Sequence, residues 1–190
     1  RHFPTYVRAV AERDGRPAPE VGIQLYERLL AAAATLPPGE SSPYDVHAPL
    51  GQLFEAQVEA LLAASQGTRL APLIELFEPA WNHNLGYSKL GAAAFRCGNQ
   101  DAAERLFLRL RDGYEDWARM DEPGLLAQLW HRQGRDGDAR TLLLDCLRSL
   151  ADEAPGASVA DRDLFEDAFQ KHRATYIRIF GEPSLTATGI

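Results

Sequence analysis

Two stretches of this 190-residue chain share one pattern and decide the fold: LGAAAFRCGNQDAAERLFLRL at 90–110 and LAQLWHRQGRDGDARTLLLDC at 126–146. They align at a constant offset of 36 residues. In each stretch, apolar residues recur at three- and four-residue steps, which is typical of one face of a helix. Gly98 and Gly134 follow the first apolar run at the same aligned position, where helices commonly end in a left-handed residue. The pattern predicts two copies of a helix–turn–helix unit.

Small residues at aligned positions predict where the paired helices touch. Gly91 aligns with Ala127, and Ala103 aligns with Ala139. A side chain this small lets the backbone of a second helix approach closely, while larger residues such as Phe107 fill the space beside it. We therefore expect Ala103 and Ala139 to lie directly under the helix that each unit pairs with.

The rest of the chain also has helical periodicity, and no window of useful length alternates strictly between apolar and polar residues. The sequence predicts an all-α fold with about nine helices, at roughly 4–13, 19–35, 49–65, 69–81, 85–97, 100–118, 122–133, 136–153 and 160–180. We expect one domain, 1–190, whose parts are an N-terminal hairpin 1–35, a loop 36–49, a hairpin 50–81, repeats 85–118 and 122–153, and a C-terminal capping helix 160–180.

The first repeat resembles the tetratricopeptide repeat (TPR), a helix–turn–helix unit whose usual period is about 34 residues. The matching aromatic, Leu-Gly, Ala and aromatic positions are Tyr87, Leu90, Gly91, Ala103 and Phe107. The second repeat departs from this pattern at Pro123 and Ala127, and neither repeat has the closing proline of the family. The resemblance covers 85–150. It implies antiparallel helical hairpins stacked as a short right-handed superhelix.

Composition excludes several classes of protein. With 45% hydrophobic and 25% charged residues, the chain is not of the disordered class. Its net charge of −7 and the lack of a basic block argue against nucleic-acid binding. No run approaches the ~18 apolar residues that a membrane helix needs. Cys97 and Cys146 are 49 residues apart and have no metal-ligand spacing, so we expect two reduced, buried thiols and a cytoplasmic location.

Signatures of catalysis are missing from the sequence. There is no G-x-S-x-G, no H-E-x-x-H and no glycine-rich phosphate loop, and the histidines are isolated. The acidic residues of 112–122 are expected to form a solvated surface, and His172 is expected on the surface of its helix. The sequence therefore predicts a protein that is not an enzyme and carries no cofactor or metal, and a catalytic site formed by residues distant in sequence stays open as an alternative.

The resemblance to TPR proteins implies a concave binding face on the first helix of each repeat. The side chains predicted for this face are Ser88, Lys89, Phe95, Arg96, Gln128, His131 and Arg132. Basic and amide groups of this kind can receive a carboxylate, a peptide backbone or an acidic segment. The Lys and Asn pattern of the TPR carboxylate clamp is not reproduced, so a chaperone-tail ligand does not follow. We expect a peptide or protein partner.

Two alternatives to this binding face remain open. Arg96 and Arg132 could simply pair with nearby acids on the protein itself. The chain could also be an all-α sensor that holds a small molecule between helices, because 69–97 is rich in aromatic residues. A continuous groove with mixed polar groups would favour the peptide-binding module, whereas a closed apolar pocket would favour the sensor.

Overall fold

The structure, a computed structural model, describes residues 3–16, 21–22, 24–25, 28, 54–55, 58–59, 61–63, 67–78 and 84–181. All regular elements within these ranges are helical, and they contain no strand, so the predicted all-α class is confirmed. The α-helices whose bounds are described are α1 (Phe3–Asp14), α2 (Leu70–Phe77), α3 (Asn84–Cys97), α4 (Gln100–Gly113), α5 (Glu122–Arg132), α6 (Asp136–Glu153) and α7 (Val159–Phe180). Short 3-10 helices lie at Gly67–Arg69, Trp117–Arg119 and Ala154–Gly156.

The chain divides into two compact units, 1–80 and 81–190. In the first unit, Phe54 and Phe77 are almost fully buried and their ring centroids lie 4.8 Å apart. The described positions between 21 and 28 and between 54 and 63 are helical. The ends of the predicted helices 19–35 and 49–65 and the whole loop 36–49 lie outside the described residues. The predicted single domain stays a prediction.

In the second unit, α3 packs on α4, and α5 packs on α6. Only Gly98 and Asn99 separate α3 from α4, so these two extensively contacting helices run antiparallel. The helix α3 also contacts α5, the first helix of the next hairpin, and α7 packs against both α5 and α6. The first helices of the two hairpins, α3 and α5, therefore contact each other.

The turns of the two hairpins have the same geometry. Gly98 and Gly134 have φ of +80° and +76°, the left-handed conformation that a glycine adopts without steric cost. Each turn is closed by the same pair of backbone hydrogen bonds. In the first turn, Gly98 N donates to Phe95 O and Asn99 N donates to Ala94 O. In the second turn, Gly134 N donates to His131 O and Arg135 N donates to Trp130 O. This is the Schellman motif, repeated at an offset of 36 residues.

The predicted close approach of helices is present at Gly91. A Cβ atom built on Gly91 would lie 2.6 Å from Cε1 of Phe107, so the ring of Phe107 occupies the space that any side chain would need. Phe107 is fully buried. Ala103 and Ala139 are also fully buried, as expected for residues under a paired helix.

One predicted helix end is wrong. The helix predicted at 100–118 ends at Gly113, after which Tyr114 is extended with φ −132° and ψ 113°. This break lets Trp117 turn inward, and only 7% of it is exposed. Gly67 opens a 3-10 helix. The helix α7 buries Phe165 and leaves the neighbouring Leu164 62% exposed.

His172 was expected on the surface, but it is 1% exposed. It lies in phase with Phe165, Ala168 and Tyr176, the residues that α7 buries. Its Nε2 lies 2.8 Å from the carbonyl oxygen of Ala118, so the imidazole joins α7 to the 3-10 helix Trp117–Arg119. Burial lowers the pKa of His172 below its usual value, although the hydrogen bond to Ala118 opposes this shift.

Candidate functional site

Two of the predicted binding residues meet across the contact between α3 and α5. The guanidinium carbon of Arg132 lies 4.8 Å from the centroid of the Phe95 ring. Arg132 is exposed and Phe95 is half-buried. Among the described residues, no carboxylate forms an ion pair with Arg132. Because its guanidinium is exposed, Arg132 can donate two parallel hydrogen bonds to the carboxylate of a ligand.

A second contact between aromatic and basic groups lies at the junction of α5, α6 and α7. His131, which aligns with Phe95, lies edge-on to Phe180 at a centroid distance of 6.1 Å. The guanidinium carbon of Arg140 lies 4.7 Å from the centroid of the same ring. His131 Nδ1 is also 2.6 Å from Oδ1 of Asp136. We call the surface of Phe95, Arg96, His131 and Arg132 the first-helix face.

Two other predicted residues use their donors inside the protein. Ser88 donates its hydroxyl hydrogen to Oε1 of Glu122, and Gln128 donates from Nε2 to the carbonyl oxygen of Gly124 at 2.9 Å. Lys89 is half-buried on α3, and Arg96 is exposed at its end. The structure therefore brings Phe95 and Arg132 together, whereas Ser88 serves the contact between α3 and α5.

The acidic stretch 112–122 is only partly solvated. Glu122 is 8% exposed, so its predicted solvation is wrong. Its position in the first turn of α5 explains the burial, because a carboxylate there is stabilised by the helix N-terminus and by the hydrogen bond from Ser88. Asp121 lies at the N-cap position but makes no capping hydrogen bond. Instead, its carboxylate forms an exposed ion pair with Lys171 at 3.0 Å.

An open groove of about 620 Å³ runs along the second unit between α4 and α6. Its floor is formed by Trp117, Trp130 and Cys146, all less than a tenth exposed. Its polar lining includes Arg111, Glu115, Arg135, Asp138 and Asp145. The sequence analysis did not predict this groove, because it placed Trp117 in a continuous helix at 100–118. Gly113 was the signal in the sequence that this helix ends before Trp117.

One wall of the groove is held by a polar network that joins the two hairpins. Glu104 Oε1 accepts hydrogen bonds from Trp130 Nε1 at 2.8 Å and from Arg135 at 2.5 Å. Arg135 also donates to Asp138 at 2.8 Å, and its guanidinium lies 4.6 Å from the Trp130 ring centroid. Burial alone would raise the pKa of Glu104. The hydrogen bonds from Arg135 and Trp130 and the positive charge of Arg135 have the larger effect, so the pKa lies below its usual value.

The groove floor contains one hydrogen-bond donor without an acceptor. Trp117 Nε1 is buried and has no partner within the described part of the chain. The thiol of Cys146 is a different case, because burial raises its pKa to about 12 and so keeps it protonated. Cys146 is therefore an apolar floor residue rather than a nucleophile.

Neither a metal site nor a membrane span is found where the structure describes the chain. No group of three or more His, Cys, Asp or Glu side chains there is arranged to hold a metal ion. None of the helices described is both long enough and apolar enough to cross a bilayer.

Comparison of the chain with protein-family models, with curated proteins and with solved structures gave no match.

Proposed function

We propose that this chain is a non-catalytic, TPR-like helical-repeat module that binds an acidic segment of a peptide or protein through its first-helix face. The observation that carries this proposal is Arg132, an exposed guanidinium stacked on Phe95 and without a carboxylate partner among the described residues.

The repeated turns support the TPR-like arrangement. The two turns share a positive-φ glycine and the same pair of hydrogen bonds at the 36-residue offset. The packing order supports it as well, since α3 contacts α5 and α5 contacts α7. In stacked helical hairpins, such adjacent first helices line the concave surface that these proteins use for binding. In this arrangement α7 takes the place of the first helix of a third unit.

The chemistry of the first-helix face favours an acidic ligand. Arg132 is placed to donate in parallel to both oxygens of a carboxylate, which is among the stronger hydrogen-bonding arrangements in proteins. Its stack on Phe95 orients the guanidinium before a ligand arrives, which lowers the entropy lost on binding. The chain as a whole has a net charge of −7, so a local basic surface distinguishes this face from its surroundings.

The peptide-binding module is favoured over the small-molecule sensor by the shape of the second unit. Its groove is open and has a mixed polar and apolar lining, whereas a sensor needs an enclosed apolar pocket. The aromatic residues that suggested a sensor are also divided between the two units, since Phe77 belongs to 1–80 and Phe95 to 81–190. Both cysteines are unpaired, from which we infer a reducing compartment such as the cytoplasm.

Fluorescence anisotropy with the fluorescein-labelled peptide Gly-Glu-Glu-Leu-Glu-Glu-Gly tests this function. Arg132→Gln should weaken binding by about tenfold or more, because it removes a charge-assisted bidentate contact. The double variant Arg96→Glu with Arg132→Glu should abolish binding by repulsion. Thermal stability should change little, because exposed charges contribute little to folding.

Arg148→Gln is the matched control. Arg148 is an exposed arginine on α6 that pairs with Asp145 at 3.1 Å and lies away from the first-helix face. It should leave the affinity for the peptide unchanged. Equal affinity of native protein and folded Arg132→Gln would refute the proposal.

A further inference from the structure

Two polar contacts join the helix α5 to the first hairpin, one near each of its ends. In its first turn, Glu122 accepts a hydrogen bond from Ser88 of α3. In its last turn, the indole N–H of Trp130 donates to Oε1 of Glu104 on α4 at 2.8 Å. Because a helix rises 1.5 Å per residue, these two contacts are about 12 Å apart along α5. Together they set the position and the tilt of α5 against the first hairpin.

The contact at Glu104 holds the chain on both sides of Arg132. Besides Trp130, the Glu104 carboxylate accepts from Nη1 of Arg135 at 2.5 Å. Trp130 precedes Arg132 by two residues, and Arg135 follows it by three, just after the turn that ends α5. One side chain of the first hairpin therefore fixes the segment that presents Arg132.

The burial of this contact makes it stronger than an ordinary surface ion pair. The side chain of Glu104 is 22% exposed, and Trp130 is 6% exposed. A hydrogen bond to an ionised carboxylate is stronger than one between neutral groups, and a polar surrounding that is partly shielded from water strengthens it further. Loss of the carboxylate would leave the buried indole N–H of Trp130 without this acceptor, which favours movement of α5.

The aligned position of the second hairpin makes a corresponding contact. Arg140 follows Glu104 by 36 residues, and its guanidinium carbon lies 4.7 Å from the centroid of the Phe180 ring. Phe180 is the last residue of α7, and Trp130 lies in the last turn of α5. In both hairpins, the second helix thus reaches the C-terminal end of the following helix from the same repeat position. This recurrence indicates that the position serves the alignment of successive units.

We propose that Glu104 is a positioning residue for the first-helix face, because it holds the end of α5 at which Arg132 stacks on Phe95. This inference takes its ligand from the proposed function, and Glu104 acts through α5 rather than by touching that ligand. Without Glu104, the contact at Glu122 still holds the first turn of α5, but the far end can tilt away from α3. Arg132 then leaves Phe95 in a fraction of the molecules. The apparent affinity falls in proportion, because only the stacked arrangement is prepared for the ligand.

The stack of Arg132 on Phe95 can be measured by NMR without any ligand. The ring current shifts protons above an aromatic ring upfield, so the Nε–Hε resonance of Arg132 should lie upfield of its position in Phe95→Leu. Its assignment follows from its absence in Arg132→Gln. In Glu104→Ala, this resonance should move toward its position in Phe95→Leu. In Glu104→Gln, it should stay near its native position, because the amide oxygen still accepts from Trp130 and Arg135.

The affinity for the labelled peptide Gly-Glu-Glu-Leu-Glu-Glu-Gly should follow the same order. Glu104→Ala should weaken binding by about two- to fivefold, as expected if the stacked arrangement is populated in about a fifth to a half of the molecules. Glu104→Gln should bind like the native protein. Both variants remove the same negative charge, so a difference between them cannot arise from repulsion of the acidic peptide.

Asp138→Asn is the matched control for the ion pair. Asp138 is an exposed carboxylate that also pairs with Arg135, at 2.8 Å, but it lies on α6. This variant should change neither the Arg132 resonance nor the affinity. If Glu104→Ala does not fold, the double variant Trp130→Phe with Arg135→Gln removes both donors without leaving a buried donor unpaired, and it should move the Arg132 resonance in the same way.

Failure of this proposal and failure of the proposed function give different results. If the native protein does not bind the peptide, the proposed function is wrong, and the Arg132 resonance still decides the role of Glu104. A native Arg132 resonance in folded Glu104→Ala, or in the double variant, would overturn the positioning role even if the native protein binds. Equal loss of affinity in Glu104→Ala and Glu104→Gln would also overturn it, because only the charge of Glu104 would then matter.

Discussion

Replacing Gly91 by Ala tests whether the two hairpins share one packing register. The added Cβ would lie 2.6 Å from Cε1 and 2.8 Å from Cδ1 of Phe107. Carbon atoms in van der Waals contact are about 3.5–4.0 Å apart, so the ring would have to move by roughly 1 Å. Phe107 is fully buried and has no solvent-exposed space to move into. Gly91→Ala should therefore overpack the contact between α3 and α4.

The magnitude follows from two opposing effects. Overpacking a dense core costs about 1–3 kcal/mol, whereas Ala is favoured over Gly within a helix by about 1 kcal/mol. We expect Gly91→Ala to lower the free energy of unfolding by about 0–2 kcal/mol, and to be less stable than a glycine-to-alanine variant without overpacking by about 1–3 kcal/mol. Gly137, in the first turn of α6, is the matched control, because a Cβ there would meet nothing within 4 Å. Gly137→Ala should leave stability unchanged or raise it by up to about 1 kcal/mol.

The register itself is tested by a compensating substitution. The second hairpin has Ala127 and Leu143 at the positions that align with Gly91 and Phe107. If the hairpins pack alike, Phe107→Leu should make room for Gly91→Ala. The double variant should be more stable than the sum of the two single changes by about 1–2 kcal/mol. Urea denaturation followed by far-ultraviolet circular dichroism measures all four proteins.

An additive result would refute this reasoning. It would mean that the side chains at positions 91 and 107 do not compete for the same space in the core. A Gly91→Ala variant as stable as Gly137→Ala would also refute it, since only overpacking distinguishes the two sites.

Two further predictions concern buried titratable groups. Burial lowers the folded-state pKa of His172 below its usual 6.5, so the stability that the neutral imidazole contributes should be fully present at about pH 7.5 and decrease as pH falls from there to about 5.5. Urea denaturation across this range should show a smaller decrease for His172→Gln, and an equal decrease would contradict the assignment to His172. The pKa of Cys146 is raised to about 12, so iodoacetamide at about pH 8 should modify half-buried Cys97 well before Cys146 in the native protein. Mass spectrometry of tryptic peptides would reveal the opposite order if it occurred.

The helices and turns of the second unit were predictable from local sequence. A helix and its end are set by residues within a few positions of each other, as at Gly98 and Gly134, where only a residue tolerant of positive φ suits the turn. The close contact at Gly91 was also predictable, because the 36-residue alignment placed small and large residues at matching positions. The break at Gly113 was missed, since the apolar spacing continues past it to Trp117 and periodicity alone does not show a helix end.

The candidate sites were predictable only in part. The sequence identified Phe95 and Arg132 as members of one face, but their stacking depends on how far α5 lies from α3. Ser88 was expected to face a ligand and instead donates to Glu122, a partner on a different helix. The groove floor combines side chains from the 3-10 helix, α5 and α6, so no single segment carries its signature.

The sequence by itself determined that this protein is built of helices. It also determined the positions of the two repeated glycine turns and the small residues that allow close packing. Backbone propensity and periodicity act over a few residues, so local sequence is sufficient for these features. Only the tertiary structure decided the burial of His172 and Glu122, the position of Arg132 over Phe95, and the lack of an acceptor for the Trp117 indole among the residues that the structure describes. These properties depend on which groups other helices bring within hydrogen-bond reach. A polar side chain is buried or left available according to partners that lie far away in the chain, as Ala118 does from His172.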